Sequence, residues 1–141
     1  MSEGSLALSV SVANERREIA RLVQVVEDFG RAAGLVDDDT TDINLLLDEF
    51  VSNVIKYGYD DGLEHTIQVT LALEGRHLSI RIEDDGKAFN PLEAPVPDLD
   101  LPIEQRPIGG LGILIARTLA DALEYRREGG RNVLTIRKTI R

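Results

Sequence analysis

The sequence predicts an α+β fold in two layers, a mixed, mostly antiparallel sheet with its helices gathered on one face. Three observations predict it. Apolar residues alternate with period two in runs joined by short turns, the pattern of hairpins. Between those runs, apolar residues recur at helical spacing. A content of 43% hydrophobic and 29% charged residues over 141 positions is the balance of a packed globule, not of a disordered chain. A chain of this length is expected to form a single domain, residues 1–141.

Leu6, Leu8, Val10 and Val12 give the period of a half-buried first strand. Asn14 is expected to cap a helix whose apolar stripe is Ile19, Leu22, Val23, Val26 and Phe29, ending at Gly34. Asp37 to Thr41 read as a loop of acids and threonines leading into a second helix. That helix carries Ile43, Leu46, Leu47, Phe50, Val51 and Val54 on one face and ends near Gly58. Ile67 to Leu73 and Leu78 to Ile82 form a hairpin about Glu74-Gly75-Arg76. All five prolines then fall between Pro91 and Pro107, so residues 91–108 are read as a long lid without regular structure. Ile113, Ala116, Leu119, Ala120 and Leu123 predict a third helix. Glu124 to Arg127 and Val133 to Lys138 predict a second hairpin about Gly129-Gly130.

Charge and composition remove whole classes of function. Lys and Arg number 16 against 25 Asp and Glu, a net charge of −9, whereas nucleic acid and anionic membranes demand clustered basic surface. There is no cysteine, hence no disulfide, zinc–thiolate site or thiol nucleophile. The two histidines, His65 and His77, are not placed near a ligand cluster. No apolar run has the length of a membrane span, and Met1 to Ser9 lacks the features of a secretory leader, so a cytoplasmic location is expected. The P-loop pattern is absent, Gly110-x-Gly112 lacks the third glycine of a dinucleotide fingerprint, and neither H-R-D nor D-F-G occurs.

Three constellations remain. On the second helix, Glu49, Asn53 and Lys56 share a narrow arc at about 100° per residue, with Tyr57 beside it. A carboxylate accepts a proton, an amide oxygen suits Mg²⁺ and an ammonium suits a phosphate. A solvated helix edge accounts for the same residues equally well when they are taken alone. At a strand end, Asp84-Asp85-Gly86-Lys87-Ala88-Phe89 offers an acceptor for an exocyclic amine and a glycine that lets backbone approach a flat ring. An acidic turn with Gly86 at positive φ is the plainer alternative. Gly109-Gly110-Leu111-Gly112 opens the third helix with free N–H groups, which makes either an anion site or a hinge.

Taken in order, the E-x-x-x-N helix, the D-x-G-x-A-F strand end, the proline-rich lid and the G-x-G helix start resemble the N, G1 and G2 boxes of the GHKL ATPase superfamily. This superfamily shares the Bergerat fold of histidine-kinase catalytic domains, and the nearest likeness within it is to the anti-sigma factor serine/threonine kinases. The resemblance runs from about Leu6 to Lys138. It implies ATP and Mg²⁺ as cofactors, with Asn53 holding the metal, Glu49 as general base and Lys56 reaching phosphate. Asp84 would take the adenine amino group, with Gly86 next to the ring. Gly110 and Gly112 would bind phosphate through their backbone, and Tyr57, Ala88, Phe89 and Leu111 complete the implied nucleotide set. Arg106, the one basic residue of the lid, is placed to reach the γ-phosphate on closure. Ala88 stands where the family more often has glycine. Lys56-Tyr57 departs from the histidine of many anti-sigma kinases and is similar instead to the Lys-Tyr of sensor histidine kinases, where the lysine reaches phosphate.

The function so implied is a Mg·ATP-dependent serine/threonine protein kinase that acts as an anti-sigma factor. It would phosphorylate a small antagonist protein in a partner-switching cycle, with a sigma factor as competing partner and a homodimer as the implied assembly. Glu49 favours this reading, since a serine hydroxyl needs a base. The alternative is an ATP-gated binding module without physiological phosphotransfer.

Overall fold

The computed structural model describes residues 5–93 and 110–141, apart from the side chains of Gly110 and Leu111. The elements run β1 (Ser5–Ala13), α1 (Glu18–Ala33), α2 (Asp37–Tyr57), β2 (Thr66–Glu74), β3 (His77–Asp84), a 3-10 turn (Pro91–Glu93), α3 (Gly110–Leu119), β4 (Ala122–Glu128) and β5 (Arg131–Thr139). The five strands form one sheet in the order β1-β2-β3-β5-β4. Every pairing in it is antiparallel, which corrects the expectation of a mixed sheet. The connections explain why. The α1–α2 pair returns the chain beside β1 running the opposite way, and β5 inserts between β3 and β4, the two strands joined across the lid.

Period-two alternation lines the apolar residues up in rows across the sheet. Val10, Val69, Ile82 and Leu134 are register partners in one row, and Leu8, Leu71, Ile80, Ile136 and Leu123 in the next. These rows meet the stripes of the helices, Leu22, Val26 and Phe29 from α1 and Ile43, Leu46, Leu47 and Phe50 from α2, in one buried cluster. Phe29, Phe50, Ile80 and Ile136 are almost fully buried, and truncating either phenylalanine to alanine would cost about 3–5 kcal/mol. α2 packs against both α1 and α3, so it lies centrally in the helical layer. That position sets its polar edge beside α3 and the ends of β3 and β5.

Three local expectations are corrected. Asn14 does not cap α1. Its side-chain oxygen accepts from the His65 N–H at 2.8 Å and its own N–H reaches the His65 carbonyl at 3.0 Å, pinning the α2–β2 loop to the end of β1. Residues 37–41 are the first turn of α2, not a loop. Three aspartates there complement the positive end of the helix dipole, and Asp39 is wholly buried against Arg141. α3 ends at Leu119, so Leu123 belongs to β4. The Lys138 ammonium takes the Leu119 carbonyl at 3.0 Å, and the Asp121 N–H turns to the Arg137 carbonyl at 2.8 Å, which commits the chain to the sheet.

Candidate functional site

Strand alternation places polar side chains where apolar ones are due. In β3, Leu78, Ile80 and Ile82 face the helices, and the next residue on that face is Asp84, only 3% exposed. In β5, Ile136 and Leu134 face the same way, and the series reaches Asn132, also buried. The two are direct register partners, and the Asn132 amide donates to Asp84 Oδ1 at 2.9 Å. A carboxylate and an amide at the edge of an apolar core are costly unless their polar atoms are used.

Above this pair lies a cleft open to solvent. Its walls are Phe50, Asn53 and Val54 from α2, Gly58 just past its end, and Ile82 from β3. Beyond β3 its mouth is bordered by Lys87, Phe89 and Pro91. Asp84 Oδ1 accepts from both the Gly86 N–H, at 2.9 Å, and Asn132. Its other oxygen has no hydrogen bond among the described residues, and Asp84 lines the cleft, which leaves an acceptor for a ligand donor. Gly86 does not have positive φ, contrary to the plainer reading of this turn. Glycine is needed because a Cβ would stand 2.6 Å from the Gly58 carbonyl oxygen and 3.0 Å from the Gly58 Cα. The two backbones are clamped by the Lys87 N–H, which donates to the Gly58 carbonyl at 2.9 Å.

The α2 edge divides. Asn53 is buried and donates to Glu49 Oε1 at 3.2 Å, which leaves its own Oδ1 without a hydrogen bond among the described residues. Asn53 lines the cleft and also a second groove, bounded by Glu49, Ser52 and Lys56 and by Arg16 and Ile19 at the start of α1. Glu49 and Lys56 therefore face the groove, not the Asp84 cleft. Gly112 in α3 lies directly against the Glu49 carboxylate, so that a Cβ there would overlap it. Tyr57 and Phe89 are exposed at the cleft mouth with ring centroids 5.8 Å apart, and Ala88 is exposed beside them. Gly110 begins α3. The Leu111 side chain, residues 94–108 of the lid with Arg106 among them, and Gly109 lie outside the described residues.

Several participants escape sequence reasoning. Asn132, Tyr125 and Arg127 come from the last hairpin, and Gly58 from the end of α2. The one signal for Asn132 is its place in an alternating apolar series that should have ended on a hydrophobe. Next to the cleft, Tyr59 stacks on His65 with centroids 4.1 Å apart and donates to Asp85 at 3.0 Å. Burial first, then this hydrogen bond, raise the Tyr59 pKa well above its ordinary value. Lys87 pairs with Asp60 at 2.9 Å. Among the described residues no three His, Cys, Asp or Glu side chains converge as a metal site. A divalent cation here would depend on few protein oxygens, as Mg²⁺ does when phosphates and water complete its shell. The Asn53 amide oxygen, unpaired among the described residues and on the side chain whose NH₂ holds Glu49, fits that donor chemistry.

The family model for the histidine kinase-like ATPase domain matches residues 12–138, most of the chain. The chain belongs to that family. As a histidine kinase-like ATPase domain, it is 32% identical over 94 residues to the serine/threonine-protein kinase BtrW of Bordetella bronchiseptica, covering 67% of this chain and 66% of that one. It is 29% identical over 105 residues to the serine-protein kinase RsbW of Bacillus mycoides, covering 72% and 65%. The match thus spans just under two thirds of the length of these curated relatives. The crystal structure of the RsbU and RsbW domains of Rv1364c from Mycobacterium tuberculosis superposes with a TM-score of 0.70. At 17% identity, and covering 96% of this chain and 32% of that one, the likeness is one of fold. No helix among the described residues is long and apolar enough to cross a membrane.

Proposed function

We propose that this domain binds Mg·ATP in the Asp84 cleft and transfers the γ-phosphoryl group to a serine or threonine hydroxyl of a small antagonist protein, serving as an anti-sigma factor. The observation that carries the reading is that Asn53 borders both the cleft and the Glu49 groove. A nucleotide in the cleft and a hydroxyl entering from the groove would meet at that side chain.

Each residue then has a task its environment suits. The free oxygen of Asp84 accepts from the adenine amino group, and the Gly86–Gly58 contact supplies a flat wall without side chains. Tyr57 and Phe89 border the mouth. Asn53 holds the metal through its oxygen while its NH₂ stays with Glu49. Bound Mg²⁺ would neutralise phosphate charge. Glu49 is half-buried and accepts the hydroxyl proton as the nucleophile aligns. Lys56 and Arg16 put positive charge on the groove side, where the phosphoryl acceptor approaches. The backbone at Gly110 and Gly112 opens α3 toward phosphate. The serine kinase names of the relatives support the choice of a hydroxyl acceptor.

Single-turnover transfer from ATP to the antagonist tests the proposal. Glu49→Gln is expected to keep ATP affinity and to lose transfer by roughly a hundred- to ten-thousand-fold. Equal rates would refute Glu49 as base. ATP-dependent capture of the antagonist without transfer by the wild type would instead support the ATP-gated binding module.

A further inference from the structure

We propose that Asn132 is a positioning residue for purine recognition, which holds the Asp84 carboxylate in its ligand-binding rotamer without touching the base amino group itself. This rests on the adenine reading of the cleft given above.

The side-chain amide of Asn132 is saturated. Its NH₂ donates to Asp84 Oδ1 at 2.9 Å and to the Lys87 carbonyl at 2.8 Å, using both hydrogens. Its oxygen accepts from the Tyr125 hydroxyl at 2.5 Å, from Arg127 at 3.1 Å and from the Phe89 N–H at 3.3 Å. Rotating the amide by half a turn would set NH₂ against three donors and oxygen against a carboxylate and a carbonyl. The five partners therefore allow one orientation. In that orientation a donor always faces Asp84 Oδ1, a second donor comes from the Gly86 N–H, and Oδ2 is left for a ligand. Arg127 also donates to the Gly86 carbonyl at 2.8 Å. The same hub thus fixes residues 84–89, the strand end that borders the cleft, from the β4–β5 hairpin.

A carboxylate held by two donors on one oxygen keeps its second lone-pair edge pre-aimed, so binding costs no reorganisation. Without Asn132, Asp84 is free to turn Oδ2 away, and the loss should appear only for ligands that use that oxygen. The test compares calorimetric affinity for ATP with that for purine riboside 5′-triphosphate, which lacks the 6-amino group.

The wild type is expected to prefer ATP by roughly ten- to a hundred-fold, the cost of leaving the Asp84 acceptor unpaired when the ligand fills the cleft. Asp84→Asn should abolish the preference. Asn132→Ala should reduce it to within about threefold of unity while leaving affinity for the purine analogue nearly unchanged. Arg127→Met removes one donor to the hub at an exposed position and should lower the preference by a few-fold. It carries the test alone if Asn132→Ala does not fold.

A parallel loss for both nucleotides would mean a general structural role and overturn the inference. So would an intact preference in Asn132→Ala or Arg127→Met alongside its collapse in Asp84→Asn, an outcome that leaves the adenine reading standing. A wild type with no preference at all would refute the adenine reading and this inference with it.

Discussion

Gly86 and Gly112 both stand close to a neighbour, but neighbours of different kinds. At Gly86 the neighbour is the backbone of Gly58, which cannot swing aside. Gly86→Ala is therefore expected to destabilise the fold by about 1–3 kcal/mol, measured as a lower denaturant midpoint at constant slope. At Gly112 the neighbour is the end of the flexible Glu49 side chain. Alanine is intrinsically the better helix former by roughly 0.5–1 kcal/mol, so Gly112→Ala should leave stability almost unchanged. It should nevertheless displace the Glu49 carboxylate, and a misplacement of about 1 Å is worth up to about a hundred-fold in rate. Transfer should fall far more than ATP affinity, and equal losses in both would argue against Glu49 as the displaced group.

The element that matters most is α2, which carries Glu49 and Asn53 near one end and is anchored at the other by charge. Asp39 is wholly buried and accepts from both the backbone N–H and the guanidinium of Arg141. Asp42 pairs with the Lys138 ammonium at 3.2 Å and with Arg141 at 3.3 Å. Lys138 also holds the last carbonyl of α3, so one cluster ties the start of α2, the end of α3 and the end of β5. Removing the exposed partner strands the buried one. Arg141→Met should lower the denaturant midpoint, and pairing it with Asp39→Asn should cost less than the sum of the two single changes. Strict additivity in a double-mutant cycle would show that the cluster does not act as a unit.

For the molecule as a whole, pH dependence follows from two surface groups beside structural junctions. His65 is raised above its ordinary value of 6.5 by its hydrogen bond to Asp61 at 2.7 Å, with Asp61 and Asp85 adding charge attraction against some desolvation. Its folded-state pKa is the higher one. The stability it contributes is therefore complete below about pH 6.5 and is lost as pH rises through the folded value. Glu18 is lowered to about 2 by the Arg21 guanidinium first and the Ala13 N–H second. Its contribution is present above the ordinary value of 4.5 and disappears as pH falls toward 2. Urea midpoints should decline on both flanks. His65→Gln should remove the part of the alkaline decline that begins near neutrality, and an unchanged profile would refute this assignment.

The alternating runs from Leu6 to Val12, Ile67 to Leu73 and Leu78 to Ile82, and the stripe from Ile43 to Val54, determined the strands, the hairpin and the central helix without help from tertiary structure. Side-chain period alone decides which face of such elements is buried. At Asn14 and Asp37–Thr41 the local preferences, capping and looping, yield to partners far along the chain: His65 for the first and Arg141 for the buried Asp39. The order of Glu49, Asn53, Asp84, Gly86, Gly110 and Gly112 was equally legible, since motif spacing is a property of the chain. What these residues face was not. The Asp84–Asn132 bond joins positions 48 apart in sequence. Gly86 against Gly58 and Gly112 against Glu49 are contacts between separate elements. Only strand register and helix packing, which sum over the whole core, decide which distant side chains meet, and no local pattern encodes that sum.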